Sequence, residues 1–457
     1  MRASRVAIVA IATLTATLAI PPAIAIAAAP HAAVIDSAGA YYPLATNRML
    51  DTRVGNGAQG PVGPGGVVRL QVDGRGGVPS SGVSAVVLNV TVTSPTAASY
   101  LTLWPDGDAR PTVSDLDFPA GWTGANEATV SVGPNGEVDI YNHAGNVQII
   151  ADVVGFYAAD NTPAATLGAG LEYRDLADHE QRLEDTRNDG KTLSGGSSLE
   201  LAAGFFDPAY YPNVQALVVT VTAVGPTGSG FLTAWDGQGD PPTTSSTLNF
   251  SAGKTVANTA IVPTSSCTID PSCAGEPEIG IYNALGSKTN VLVDLVGYYE
   301  DATADGARFE AIDPVRIADT RTGLGGAGTF GPKHLGTFTA PSSFSNVGGL
   351  AANVTAVAPT ADTYLTIWEV GDGQPPTSNL DPAKGSTVAN TAQIVRGNEA
   401  WQYNAYNFAG NVDILIDIQG VFVGPGESYP ARQADGPAVD PGATVVAVRN
   451  ARGWPVA

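Results

Sequence analysis

Apolar and polar residues alternate with a period of two along most of this chain. One side of residues 86–93 carries Val86, Leu88, Val90 and Val92, and the other carries Asn89, Thr91 and Thr93. Such β-branched alternation, bounded by Gly, Pro, Asn and Ser, is typical of half-buried antiparallel strands. Helix-period apolar stripes are missing after the first 27 residues, while Gly (54) and Pro (33) are frequent. The pattern predicts an all-β protein.

The same pattern occurs three times. Asp51-Thr52-Arg53 returns at residues 185–187 and 319–321, a step of 134 residues each time (185 − 51 and 319 − 185). Each copy continues with a Thr- and Val-rich run, an aromatic-Leu-Thr-x-Trp segment, a Tyr-Asn-x-x-Gly turn and an apolar strand with one Asp. A period this long allows a domain with its own core. We therefore expect three tandem antiparallel β-sandwich domains over residues 41–157, 173–299 and 309–423. The equal spacing also fits closure of the copies around a pseudo-threefold axis.

The chain ends have a different composition. Arg2 and Arg5 precede an apolar run to Ile20, and Ala25-Ile26-Ala27 follows a pair of prolines. A charged, an apolar and a small-residue region in this order predict a signal peptide over residues 1–27. The alternative, a membrane-spanning helix, would need a longer apolar stretch. Residues 424–457 form a Pro- and Gly-rich tail, in which Val445–Val448 could add a strand to the last unit. We expect a protein that is secreted, or held at the cell wall, and does not span the membrane.

Charge and cysteine content limit the kinds of partner that the protein can bind. The chain has 43 acidic and 22 basic residues, a net charge of −21, which disfavours nucleic acid and anionic lipid surfaces. Cys267 and Cys273 lie in an insertion of the second copy, and an exported setting permits a disulfide between them. Two thiols without a nearby His are too few for a metal site.

Charged residues recur at both ends of each copy. We expect the Arg of each Asp-Thr-Arg triplet to pair with the Asp of the last apolar strand, because a lone buried carboxylate is costly. The expected structural ion pairs are Arg53 with Asp152, Arg187 with Asp294, and Arg321 with Asp417. The alternative is catalytic: Asp51 and Asp152 would act as the acid and base of a glycosidase.

The aromatic strand is the candidate binding element. Leu101 and Leu103 should enter the core, leaving the opposite side for ligand. This predicted stripe consists of Tyr100, Thr102 and Trp104, of Phe231, Thr233 and Trp235, and of Tyr364, Thr366 and Trp368. Flat rings beside hydroxyls suit stacking on sugars. In the alternative interpretation the same aromatics pack beneath a loop or against the other sheet.

Sequence motifs of catalysis are missing. There is no Gly-x-Ser-x-Gly, no His-Glu-x-x-His and no Gly-rich phosphate loop, and the four histidines occupy unrelated places. We assign no catalytic residue, cofactor or metal. The first hypothesis is a multivalent protein that binds glycan or another cell-surface component. A structural or assembly protein and a carboxylate-based glycoside hydrolase are the alternatives, and the oligomeric state is left open.

The markers together resemble a known type of repeat. Leu88-Asn89-Val90-Thr91-Val92-Thr93, Leu101-Thr102-Leu103-Trp104-Pro105 and Ala151-Asp152-Val153-Val154-Gly155-Phe156-Tyr157 are similar to repeats in exported proteins of actinomycete-type bacteria. Those repeats occur alone in tandem or beside secreted hydrolases, including peptidoglycan amidases, and most have no defined function. The resemblance covers nearly all of the chain after residue 27 and implies an exported repeat protein without established site residues. The third copy departs from the ending at Gln419.

Overall fold

The protein is described by a computed structural model. The described residues are 37–176, 180–188, 190–204, 208–268, 270–301, 306–341, 344, 347–395, 402–424 and 445–449. The predicted signal peptide and most of the tail lie outside these ranges. Within them the regular secondary structure is nearly all strand and the sheets are antiparallel, which confirms the all-β prediction. The short helical elements are α1 (Ala164–Leu167) and two 3-10 turns, Pro208–Tyr210 and Pro271–Cys273.

The strands follow the three sequence copies, called repeats below. The first repeat contains β1 (Tyr41–Asp51), β2 (Val67–Gln71), β3 (Val83–Thr93), β4 (Ser99–Pro105), β5 (Leu116–Phe118), β6 (Gly124–Ser131), β7 (Glu137–Asn142) and β8 (Gln148–Ala158). The second contains β9 (Leu171–Asp175), β10 (Gln181–Asp185), β11 (Ser198–Ala202), β12 (Val214–Val224), β13 (Gly230–Trp235), β14 (Leu248–Phe250), β15 (Val256–Pro263), β16 (Ser265–Ser266), β17 (Pro277–Asn283) and β18 (Asn290–Asp301). The third contains β19 (Arg308–Asp319), β20 (His334–Thr339), β21 (Gly349–Val357), β22 (Leu365–Glu369), β23 (Thr387–Val395), β24 (Gln402–Asn407) and β25 (Asp413–Val423), and β26 (Val445–Arg449) follows.

Each repeat builds two sheets. Its inner sheet has the order β1-β8-β3-β6 in the first repeat and β19-β25-β21-β23 in the third. In the second repeat β15-β12-β18 continues through β9 to β1, so the first two inner sheets are joined. The outer sheets are β2-β7-β4-β5, β11-β17-β13-β14 and β20-β24-β22. A separate hydrophobic cluster fills each repeat. Leu101 and Leu103 belong to the first of these clusters, which confirms their predicted core position.

The tail strand β26 pairs with β11, the edge of the outer sheet of the second repeat. The expectation that it would extend the last repeat was therefore wrong. β11 can accept it because an edge strand presents unpaired backbone groups to a further strand.

The inner sheets are buried on both faces, which corrects the prediction of half-buried strands. Asn89 and Thr91, on the polar side of β3, are 4 % and 3 % exposed. Their side is covered by the neighbouring repeats, so that the described residues form one compact unit.

An aromatic cluster shared by all three repeats lies where the inner sheets meet. The aromatic residue that begins each inner sheet contacts the one that ends the inner sheet of another repeat. The pairs, with their ring-centroid distances, are Tyr41–Tyr299 (4.6 Å), Tyr173–Phe422 (4.5 Å) and Phe309–Tyr157 (4.2 Å). This relation passes from the first repeat to the second, from the second to the third and back to the first. The repeats are thus arranged with quasi-threefold symmetry.

A glycine in each last strand makes room for this cluster. A Cβ at Gly155 would lie 2.2 Å from the Tyr41 hydroxyl oxygen, and one at Gly297 would lie 2.5 Å from that of Tyr173. A real side chain cannot lie at such distances, so both positions require a glycine, which has no side chain.

A cycle of asparagines joins the same sheets. Asn126, Asn258 and Asn390 occupy equivalent places, and each Oδ1 accepts a backbone N–H from the next repeat around the cycle. The donors are Thr391 to Asn126 (3.2 Å), Glu127 to Asn258 (3.4 Å) and Thr259 to Asn390 (3.0 Å). Since each bond satisfies a buried donor, the cycle ties the three repeats together at their most enclosed point.

Candidate functional site

The late-strand aspartates are paired, but with other arginines than expected. Arg48 Nε lies 2.8 Å from Asp152 Oδ1, and the equivalent Arg182–Asp294 and Arg316–Asp417 distances are 2.7 and 2.8 Å. The bulge in β1 places Arg48 directly opposite Asp152. The predicted pairings of Arg53, Arg187 and Arg321 with these aspartates were wrong.

The triplet arginines instead bind the aspartate of their own triplet. Arg53 lies beyond the end of β1, and its guanidinium is 2.6 Å from Asp51. Arg187 and Arg321 bind Asp185 and Asp319 in the same way. Hydrogen bonds from Arg53 lower the pKa of Asp51. Because Arg48 also approaches both Asp51 and Asp152, these carboxylates are held as ion-pair partners, which favours the structural interpretation over an acid–base pair.

The tryptophans of the predicted stripe are covered. Trp104, Trp235 and Trp368 are only 6, 6 and 4 % exposed. Each indole N–H donates to a carbonyl of the acidic turn that follows it, for example Trp104 to Asp108 at 3.2 Å. The stripe threonines are buried too, and Thr102 donates to the Val113 carbonyl at 2.8 Å. The prediction that these residues form an exposed sugar-binding platform was therefore wrong, because the loop after each strand folds back over that strand.

The first residue of the stripe remains accessible. Tyr100, Phe231 and Tyr364 are all half-buried. Tyr100 stacks on His143 with ring centroids 4.6 Å apart, and Tyr364 stacks on Phe408 at 4.8 Å. We call Tyr100–His143 and Tyr364–Phe408 the outer aromatic pairs. In the second repeat the partner position is Ala284, so Phe231 lacks this stacking partner.

Neighbouring strands widen these pairs into outer surfaces. Tyr141 and Tyr406 precede the paired ring by two residues and are half-buried beside it. The Arg110 guanidinium lies 3.7 Å from the Tyr141 ring centroid, a cation–π contact. The sequence signal for these residues was the Tyr-Asn-x-x-Gly turn, which we used as a repeat marker and not as part of a site.

The outer aromatic pair of the third repeat forms one wall of a cleft against the second repeat. The cleft has a volume of about 440 Å³, within the range of ligand sites. Its other lining residues include Arg187 and Lys254 from the second repeat, and Thr377 and Asp381 from the third. An aromatic wall, hydroxyls and charged groups therefore converge on one space.

The electrostatics of this cleft are mixed. Lys254 is exposed, and the Arg187 side chain is 46 % exposed and remains bound to Asp185. Burial raises the pKa of Asp381 to about 6, and a hydrogen bond from Ser378 opposes that rise. Asp362 also lines the cleft, as does Arg182, which is bound to Asp294. At neutral pH the carboxylates and the cations partly balance, so the cleft can accept a neutral ligand.

Cys267 and Cys273 form a disulfide, which confirms the pairing expected from the sequence. Both are buried, against Ala202. Among the described residues, no group of three His, Cys, Asp or Glu side chains is arranged to hold a metal ion. Those residues also include no helix of the length and apolarity needed to cross a bilayer.

Comparisons with known proteins add little to this site. No protein-family model matches the chain, and no curated protein matches it. Among solved structures, a chain of Sulfolobus Turreted Icosahedral Virus matches with 9 % identity and a TM-score of 0.17, over 85 % of this chain and 92 % of that one. At so low a TM-score the match carries no argument about fold or function.

Proposed function

We propose that this protein is a secreted, multivalent binding protein that recognises extracellular or cell-wall glycan. The observation that carries the proposal is the stacked Tyr364–Phe408 pair, which lines the cleft beside hydroxyls and charged groups. The C–H face of a sugar packs on an aromatic ring while its hydroxyls bind polar neighbours. The Cys267–Cys273 disulfide fits an exported protein.

Repetition supports the multivalent part of the proposal. The outer aromatic pair occurs in the first and third repeats, and Phe231 occupies the corresponding place in the second. A fixed quasi-threefold core holds these surfaces in one body. Several weak sites on one body can bind a polymer much more tightly than each site alone.

Retention on insoluble polysaccharides and cell walls tests the proposal. The double variant Tyr364→Ala/Phe408→Ala should lose most retention, because it removes the stacking wall of the cleft. Tyr100→Ala/His143→Ala should lose a smaller share, since it removes the other outer aromatic pair. Leu285→Ser changes a side chain that is 77 % exposed and does not line the cleft, and it serves as the control.

The charge of the cleft gives a second comparison. Lys254→Ala should weaken retention on acidic polymers more than on neutral ones, because it removes an exposed cation from the cleft wall. The proposal is contradicted if no polymer retains the wild type, or if the wild type and the Tyr364→Ala/Phe408→Ala variant are retained equally. Release of reducing sugar during the same incubations would support the hydrolase alternative.

One observation favours assembly as a second function. Val67 on β2 and Leu335 on β20 are 50 % and 54 % exposed, and both strands are edges of their sheets within the described residues. The equivalent edge β11 is covered by β26. Val67→Lys/Leu335→Lys should reduce self-association measured by light scattering if these edges join copies, and a monomeric wild type would contradict this function.

A further inference from the structure

The three boundaries between repeats are built from equivalent residues, and two of them are filled by a long polar side chain. At the second–third boundary Glu180 accepts hydrogen bonds from Thr377 and from the Asn379 amide. At the third–first boundary Gln419 donates to Asp115. Both side chains occupy the space between the last inner-sheet strand of one repeat and the outer-sheet loop of the next.

The first–second boundary has short residues at both of these places. Thr46 stands where the second repeat has Glu180, two residues before the paired arginine, and Val154 stands where the third has Gln419, two residues after the late aspartate. A cavity of about 250 Å³ is left there, whereas the equivalent cavity beside Glu180 at the second–third boundary, which is distinct from the 440 Å³ cleft described above, is about 20 Å³. The first–second boundary therefore has room for a group that the other two supply from the chain itself.

The walls of this cavity combine apolar and polar side chains. Trp235 and Val154 provide apolar surface, and Ser245 and Thr247 provide hydroxyls. Asp236 and Asp240 also line it, and no Lys or Arg does. Such a wall disfavours an anion, because the half-buried carboxylate of Asp236 and the exposed one of Asp240 would repel it.

Glu127 gives the cavity its most specific group. It is 4 % exposed, accepts the Ile261 backbone N–H at 3.2 Å, and stands where the other repeats have threonine. Burial raises its pKa to about 8. The carboxyl is then mostly protonated at pH 7 and can donate a hydrogen bond as well as accept one.

We propose that this cavity binds one neutral sugar ring in the place that Glu180 and Gln419 occupy at the other boundaries. A ring offers an apolar face for Trp235 and hydroxyls for Ser245, Thr247 and Glu127. The volume is below the range of drug-sized sites, which restricts the ligand to one ring. This site is separate from the outer aromatic pairs, and the proposal does not depend on the proposed function.

Saturation-transfer NMR and calorimetry on the full chain test this, with glucose, galactose and N-acetylglucosamine as probes and with glucuronate and acetate as anionic comparisons. We expect millimolar binding of at least one neutral sugar and at least tenfold weaker binding of the anions. Val154→Gln, which supplies the side chain found at the third–first boundary, should weaken sugar binding at least tenfold. Thr46→Glu, which supplies that of the second–third boundary, should do the same.

Thermal melting shows whether the two filled variants are folded, and each is expected to melt no lower than the wild type. Tyr364→Ala/Phe408→Ala should bind the sugar as the wild type does, which separates this site from the cleft. The proposal would be overturned if the wild type bound none of the three neutral sugars or bound the anions equally well. It would also be overturned if both filled variants bound sugar as the wild type does.

Discussion

Replacing Arg316 by Met leaves a buried carboxylate without its partner. Asp417 is fully buried, and both of its oxygens accept hydrogen bonds from Arg316, each at 2.8 Å. Met keeps the aliphatic stem of the side chain and removes only the charged fork. The matched control is Arg321→Met, because the Arg321 side chain is 45 % exposed although that of its partner Asp319 is only 9 % exposed.

The two variants should differ severalfold in their effect on stability. Breaking a buried ion pair costs about 3–5 kcal/mol, and the 24 % exposure of Arg316 favours the lower end, about 3 kcal/mol. A pair with one exposed partner is worth about 1 kcal/mol, and Asp319 keeps the Arg316 guanidinium at 3.8 Å, so Arg321→Met should cost about 1 kcal/mol. The pairing first expected from the sequence predicts the reverse order.

The loss should also depend on pH. Burial raises the pKa of Asp417, and Arg316 opposes that rise. Without Arg316 the folded-state pKa moves further above the unfolded value of about 3.9. A raised folded-state pKa gives stability that is present below the unfolded pKa and is lost as pH rises through the folded one. The cost of Arg316→Met should therefore be smaller at pH 4.5 than at pH 7.

Urea denaturation of the full chain, followed by tryptophan fluorescence at both pH values, measures these differences. Asp417→Asn in the Arg316→Met background should recover part of the loss, since it removes the unpaired charge. Equal losses for Arg316→Met and Arg321→Met at pH 7 would refute the reasoning, as would a loss that grows on acidification.

Three further outcomes follow from the core. The wild type loses stability between pH 5 and pH 8, because the pKa of Glu127 is raised to about 8. Relative to the wild type, Glu127→Gln should therefore become more stable across that range, by up to about 1.4 kcal/mol per pH unit, as measured by urea titrations. Gly297→Ala should lower the free energy of unfolding by about 1–3 kcal/mol, as measured by calorimetry, because the added Cβ would clash with the Tyr173 side chain. Cys267→Ser/Cys273→Ser should cost about 2 kcal/mol by the loop-entropy relation, measured by thermal melting, because the bond spans a sequence separation of only 6 residues.

The sequence alone predicted the features that depend on local pattern. Period-two alternation was sufficient for the all-β class, and the recurring triplet was sufficient to find the repeats. The need for a partner at Asp152 followed from an acidic residue in an apolar strand. Its identity did not follow, because a bulge in β1 sets the register that brings Arg48, and not Arg53, opposite Asp152.

The candidate site was harder to predict because strand alternation gives the face of a residue but not what covers that face. Trp104 does point away from the core of its repeat, as its spacing indicates. The turn that follows β4 then folds over the indole and accepts its N–H at Asp108. His143 and Phe408 come close to the stripe only through the pairing of β4 with β7 and of β22 with β24, which no local pattern specifies.

The quasi-threefold core explains why some residues recur in all three repeats while others differ. Each core asparagine accepts an N–H from a neighbouring repeat and donates to a carbonyl of its own repeat, as Asn258 does to Thr247 at 2.7 Å. This cycle closes only when all three members are present, so the same residue is required in every copy. Glu180 and Gln419 make contacts that each occur at one boundary, and they can differ because the three repeats are covalently ordered. A symmetric assembly of identical units would repeat any cavity at every boundary. In a single chain, this one place can remain open at one boundary while a long side chain fills it at the other two, and this is the arrangement found around Thr46 and Val154.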